Sequence, residues 1–302
     1  VVALAPLRGR WHTEAVRWLV GVLLACVLLA GCGGGSEDSK IAFHSDRDGD
    51  DEIFVMNADG TGVTQLTGND GRDRVPAWSP NGKKIAFHTT RDGDEEIFVM
   101  NADGTGVTQL TDNDGRDGFP VWSPNGKQIA FESLRDGDND FEVFVMNADG
   151  TGVTQLTDNY DYDGSPAWSP NGKKIAFHSS RAVATEIFVM NADGTGVTQL
   201  TDNDGRDGFP VWSPNGKQIA FESDRDGDFE VFVMNADGTG VTQLTDNDGR
   251  DGFPVWSPNG IQIAFASNRD GDRGDREVFV MNADGSDVVA LGQQGIPSSW
   301  GG

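Results

Sequence analysis

Three acidic triplets are the first residues in this sequence with a spacing that could do chemistry. Asp46-x-Asp48-x-Asp50, Asp224-x-Asp226-x-Asp228 and Asn268-x-Asp270-x-Asp272 match positions one, three and five of a calcium-binding loop. The match stops there, because the sixth position, which wants glycine, holds Asp51, Phe229 and Arg273, and no Glu stands at the twelfth. Calcium at Asp46, Asp48 and Asp50 or at Asp224, Asp226 and Asp228 is thus the one cofactor the residues suggest, through a partial motif. A second acidic series suits docking instead. Asp70, Asp73, Asp114, Asp117, Asp204, Asp207, Asp248 and Asp251 recur with Phe119, Phe209 and Phe253, each of which directly precedes a proline. If those rings are exposed they give apolar anchors inside an acidic rim; packing between neighbouring units is the competing reading.

Covalent chemistry has less to stand on. His44, His88 and His178 each follow an Ile-Ala-Phe tripeptide, where other copies carry Glu132, Glu222 and Ala266. They read as structural residues far apart from one another. Neither a Ser-His-Asp constellation nor a histidine cluster with metal spacing is visible. The only cysteines are Cys26 and Cys32, both near the N-terminus, so no disulfide and no thiolate site is expected in the repeats. A formal charge of −25 argues against nucleic acid, whose phosphates need clustered Lys and Arg. It points toward cations or basic and polar partners.

The elements that must position these residues repeat. Ile-Ala-Phe begins at 41, 85, 129, 175, 219 and 263, a spacing of 44 or 46 residues. An all-β repeat of this length is a propeller blade. In the unit from Pro76 to Thr111, the dipeptides Asn81-Gly82, Asp92-Gly93 and Asp103-Gly104 supply the positive φ angles of hairpin turns. Between them lie four short strands, at Pro76–Trp78, Lys84–His88, Glu96–Asn101 and Val107–Thr111. Ile97-Phe-Val-Met100 is apolar on both faces, as a strand sandwiched between blades must be. The fold expected over 41–302 is all-β: a six-bladed β-propeller of four-stranded antiparallel blades. Residues 41–67 lack the Pro-x-Trp strand, and 297–300 supplies a spare one, so the C-terminus is expected to close the ring within the first blade. Closure removes exposed sheet edges and favours a monomeric propeller.

Residues 1–31 read as an export signal. Arg8, Arg10 and Arg17 precede an apolar run from Trp18 to Ala30, too short to span a bilayer. Leu29-Ala-Gly-Cys32 resembles the lipobox of bacterial lipoproteins, which implies lipidation at Cys32 and a membrane anchor. Gly33-Gly-Gly-Ser36 opens a flexible tether over 32–40. The location expected is the cell envelope, at the periplasmic side of the outer membrane or the cell surface.

Within the repeats, Pro-x-Trp-Ser-Pro-Asn-Gly-Lys-x-Ile-Ala-Phe, then Ser-x-Arg-Asp-Gly, then Glu-Ile-Phe-Val-Met-Asn-Ala-Asp-Gly-Thr closely resembles the TolB-type propeller repeat. That repeat is loosely related to WD-repeat blades and to the propeller of prolyl oligopeptidase-type enzymes. The resemblance covers about 41–302 and implies the propeller fold; the N-terminal α/β domain of TolB has no counterpart here.

Alternating hairpins sort the charge. The Ser-Pro-Asn-Gly and Asn-Ala-Asp-Gly turns share one face, near neutral because Lys83, Lys84, Lys127, Lys173, Lys174 and Lys217 offset its acids. The opposite face carries essentially all the negative charge. An Arg just before each hairpin turn (Arg47, Arg91, Arg135, Arg181, Arg225, Arg269) is expected to pair with the Glu opening the third strand. The function expected is a non-enzymatic, lipid-anchored scaffold that docks an envelope protein or peptide on the acidic face. The alternatives are calcium-dependent ligand or saccharide binding, or a propeller hydrolase or lyase using that face.

Overall fold

The computed structural model describes residues 39–301 except 136, 138, 139 and 270–275. The export signal, Cys32 and most of the tether lie outside the described residues, as do Asp270 and Asp272 of the third acidic triplet. The described residues form six four-stranded antiparallel sheets. In the second blade the strands are Asp73–Trp78, Lys84–Thr89, Glu96–Asn101 and Thr108–Gln109. The remaining inner strands are Asp117–Trp122, Asp163–Trp168, Asp207–Trp212, Asp251–Trp256 and Ile296–Gly301. The last of these pairs with Lys40–Ser45 and completes the first blade, as the missing and spare strands required.

The core is not one mass but a layer between each pair of blades. Ala77, Ile97 and Val99 of the second blade meet Trp122, Phe131 and Met146 of the third. The same set recurs around the ring and includes the closure, where Ile41, Phe43 and Trp300 meet Val255, Val278 and Val280. Ile97, Phe98, Val99 and Met100 are all buried, which is why that strand reads apolar on both faces. Each fully buried aliphatic or aromatic side chain contributes about 1.5–3 kcal/mol, so the third strands and the tryptophans hold the ring together.

Two strands differ from the sequence reading by more than one residue. The fourth strand is short, Thr108–Gln109 in place of 107–111. The inner strand begins three residues earlier, at Asp73 rather than Pro76. The physical reason for the second is a β-bulge: Arg74 pairs with His88 and Ala77 with Ala86, so one extra residue sits between them. That residue is Val75, and its counterparts are Phe119, Ser165, Phe209 and Phe253. All five have φ between 49° and 54°. Left-handed backbone costs a non-glycine residue about 1–2 kcal/mol. The pre-proline position makes αR no cheaper.

The candidate site at the acidic mouth of the channel

The bulges place Phe119, Phe209 and Phe253 in the central channel, near the ends of the inner strands that carry the acidic loops. Phe119 reaches Phe209 across the intervening blade, with ring centroids 5.7 Å apart. Phe209 meets Phe253 at 4.4 Å. These rings are therefore not simple packing between blades; they are half-buried and line a cavity of about 660 Å³. His178 and Tyr162 continue the cluster, stacked at 5.1 Å, with His178 edge-on to Phe209 at 5.6 Å.

In four of the five bulges a side chain from the preceding blade satisfies the freed amide. Phe119 N–H donates to His88 Nδ1 at 3.2 Å and Phe209 N–H to His178 Nδ1 at 3.5 Å. Ser165 N–H donates to Glu132 Oε2 at 2.8 Å and Phe253 N–H to Glu222 Oε2 at 3.1 Å. The alternation of His and Glu after Ile-Ala-Phe is thus a choice of hydrogen-bond acceptor for the next blade's bulge. The sequence held a signal for it: each acceptor precedes an x-Pro pair by 31 or 33 residues. Burial pushes His88 down to about 3 and His178 to about 4, so both rings are neutral. With Nδ1 accepting, the His88 proton sits on Nε2. Burial raises Glu132 and Glu222 to about 7.

The expectation that the histidines stand far apart is corrected for one pair, His44 and His88. His44 and His88 line the same cavity, with Asp51, Arg74 and Glu95 beside them. Arg74, which replaces the glycine of the other blades, is paired with Asp51. The mouth is therefore asymmetric: an ionic and imidazole wall on blades one and two faces an aromatic wall on blades three, five and six. Ser298 Oγ lies 3.5 Å from His44 Nδ1. That His is a poor proton acceptor, because burial and then Arg74 and Arg276 hold it down at about 3.

The eight proposed docking aspartates divide into two sets. Asp70, Asp114, Asp204 and Asp248 are exposed on the acidic loops. Asp73, Asp117, Asp207 and Asp251 are fully buried, and this corrects their assignment to the surface. The bulge extends the inner strand back to these residues and draws them under the loop. There Asp73 accepts from Arg91 at 2.8 Å and Asp207 from Arg225 at 2.7 Å; Arg135 pairs with Asp117 and Arg269 with Asp251. In five of the six blades the recurring arginine thus binds the inner-strand Asp, not the Glu expected, while Arg47 donates to Gln293 Oε1 and the Gln294 carbonyl; each lies over two phenylalanine rings, as Arg225 does over Phe221 and Phe232. The Glu of the third strand instead holds the blade-to-blade loop. Glu186 accepts from Asn203 N–H at 2.8 Å, while Asn203 Nδ2 donates to Asp207 at 2.9 Å. Part of the acidic charge is thus used inside the ring, the Asp in pinning the hairpin of its own blade and the Glu in tying one blade to the next.

For calcium, the geometry gives no support. Asp46 and Asp224 each close a tight turn, with Gly49 N–H on Asp46 O and Gly227 N–H on Asp224 O. The Asp224 carboxylate is engaged by the Arg206 amide and guanidinium. Among the described residues no three His, Cys, Asp or Glu stand together as a metal site.

Six blades, a ring closed by the C-terminal strand and a repeated motif accompany overlapping matches to the TolB beta propeller domain over 35–117, 69–165, 112–207, 160–239 and 200–299, which decide the family. The chain belongs to the TolB β-propeller family. Its fold is similar to that of TolB from Acinetobacter baumannii, at 22% identity and TM-score 0.77, over 88% of this chain and 67% of that one. It is similar to a putative TolB from Agrobacterium tumefaciens at 23% identity and TM-score 0.70, over 88% and 94% of the two chains. An oligogalacturonate lyase from Vibrio parahaemolyticus shares the architecture at 14% identity and TM-score 0.54, over 85% and 73%. No curated protein sequence matches significantly. Identities this low establish the fold alone, a scaffold that TolB and an oligogalacturonate lyase share.

Proposed function

We propose that this protein is a lipid-anchored binding module of the cell envelope that docks a partner protein or peptide at the acidic mouth of its channel. The observation that carries the reading is the mouth itself. Three phenylalanines are held on strained, positive-φ backbone inside a rim of exposed carboxylates. Strain of this kind persists where the surrounding structure over-determines it, and it clusters at functional sites. Membership of the TolB β-propeller family is compatible with the same reading. The partner chemistry that fits is an apolar side chain flanked by Lys or Arg, the first against the phenylalanines and the second against Asp70, Asp114, Asp204 and Asp248.

The test is capture from solubilised envelope on immobilised protein, compared between three forms. These are the native chain, a charge-reversed form (Asp70, Asp114, Asp204 and Asp248 each to Lys), and a form with Phe119, Phe209 and Phe253 each changed to Ser. A species held by the native chain and lost from both variants is expected. Capture undiminished in both would refute docking at this mouth.

A further inference from the structure

The acidic rim around the mouth is broken at one blade. Every other blade carries three or more acids between its second and third strands, whereas blade four carries none and reads Ser180-Arg-Ala-Val-Ala-Thr185. The loop that enters blade four departs in the same direction. Tyr160 stands where Asp70, Asp114, Asp204 and Asp248 stand, and Tyr162 where Arg72, Arg116, Arg206 and Arg250 stand. Asp158 and Asp161 are what remains of the rim there.

Folding ties the two altered loops together. Tyr162 N–H donates to Ser180 Oγ at 2.9 Å, and Ser180 N–H donates to Tyr162 O at 2.9 Å. Blades one, two and five turn at Gly49, Gly93 and Gly227, with φ of 122–126°; Val183 takes that place outside the left-handed region. Tyr160 is 91% exposed and Val183 has no shielded surface, while no other large apolar side chain among the described residues exceeds 56%. Apolar residues exposed singly are ordinary on a protein surface. These two replace an Asp and a Gly, and their loops continue the aromatic cluster of the mouth. Tyr162 stacks on His178 at 5.1 Å, and His178 meets Phe209 at 5.6 Å. Tyr162 is held in that pose by its hydroxyl, which donates to Glu132 Oε2 at 3.1 Å.

We infer that a partner polypeptide docked at the mouth runs off-axis over blade four, where a second apolar side chain of the partner packs on Tyr160 and Val183. The inference rests on the docking reading and adds an uncharged anchor to it. A tyrosine offers large, rigid contact area at low entropic cost, and such residues dominate binding energy. Two ring-to-ring steps separate Phe209 from Tyr162, and Tyr160 lies two residues further along the loop. The anchors therefore stand about 10–17 Å apart, about three to five residues of extended chain.

The probe is a displayed library of random peptides of about twelve residues, selected on the immobilised protein. Selected peptides are expected to share an apolar residue beside Lys or Arg, and a second apolar residue about three to five positions away without a basic neighbour. Their affinities are then compared by fluorescence anisotropy. Tyr160→Asp with Ala182→Asp, Val183→Gly and Ala184→Asp gives blade four the residues that blades two and five carry there, so the fold accommodates them. This restored rim should weaken binding about tenfold, and peptides selected on it should lack the second apolar position. The added carboxylates would tighten a purely electrostatic contact with a basic peptide, so weaker binding reports the apolar anchor. Tyr160→Ser alone, at an exposed position, should weaken binding about threefold. Equal or tighter binding to both blade-four variants, when Phe119→Ser with Phe209→Ser and Phe253→Ser abolishes it, overturns this inference and leaves docking at the mouth standing. Peptides indifferent to every substitution, or a selection that enriches none, overturn both readings.

Discussion

Asp207→Ala is the substitution that best separates a structural acid from a docking one. Asp207 has no exposed surface. Its carboxylate accepts from the Arg225 guanidinium at 2.7 Å and from Asn203 Nδ2 at 2.9 Å. Removing it strands a guanidinium that lies over Phe221 and Phe232 with only 21% of its side chain exposed. Breaking a buried pair from one side costs about 3–5 kcal/mol. The remaining exposure of Arg225 places the value at the low end, about 3 kcal/mol, or roughly a hundredfold in the folding equilibrium. The loop also loses its tie, because Asn203 links Asp207 to Glu186 of the preceding blade. Asp204→Ala, three residues away and exposed, should stay within about 0.5 kcal/mol of the native protein. Urea denaturation of the two variants, with Arg225→Ala and the double variant to complete a cycle, measures both numbers and the coupling. A loss below about 1 kcal/mol for Asp207→Ala, with no coupling to Arg225, would refute the buried network.

Two further outcomes are expected. Glu132 and Glu222 are raised to about 7 by burial. A carboxyl whose folded pKa lies above its unfolded value gives stability that is full below about pH 4.5 and is lost as pH rises through 7. Glu132→Gln keeps an acceptor for Ser165 N–H and the Tyr162 hydroxyl, so it should flatten the fall in melting temperature between pH 4.5 and 7.5; an unchanged slope would count against a buried, titrating Glu132. Backbone strain gives the second. Phe253 sits at φ 54°, so Phe253→Gly should be more stable than Phe253→Ala by about 1 kcal/mol, reversing the ordinary order. Chemical denaturation compares them, and Ala equal to or better than Gly would remove the strain argument.

The candidate site was legible only in part. That Phe119, Phe209 and Phe253 belong together followed from their place before proline. Their contact across the channel did not, since it depends on a bulge that breaks the strand's alternation. The histidines show the same gap. His88 and His178 look like interchangeable copies of a buried position until Phe119 and Phe209 arrive from the next blade to use them.

The sequence alone determined the ring. Six copies of one motif, turn dipeptides at fixed offsets, and a missing strand at one end matched by a spare at the other leave one economical closure. These are local and periodic facts, and hairpins and strand patterning are written locally. Tertiary structure decided which acids are surface and which are core. Asp204 and Asp207 are the same residue type three positions apart on an acidic loop, one in water and one without exposure. The difference lies in where the inner strand starts, which a bulge sets, and in whether an arginine 18 residues later can reach back to it. Neither is visible until the blade is folded and the next one packs against it.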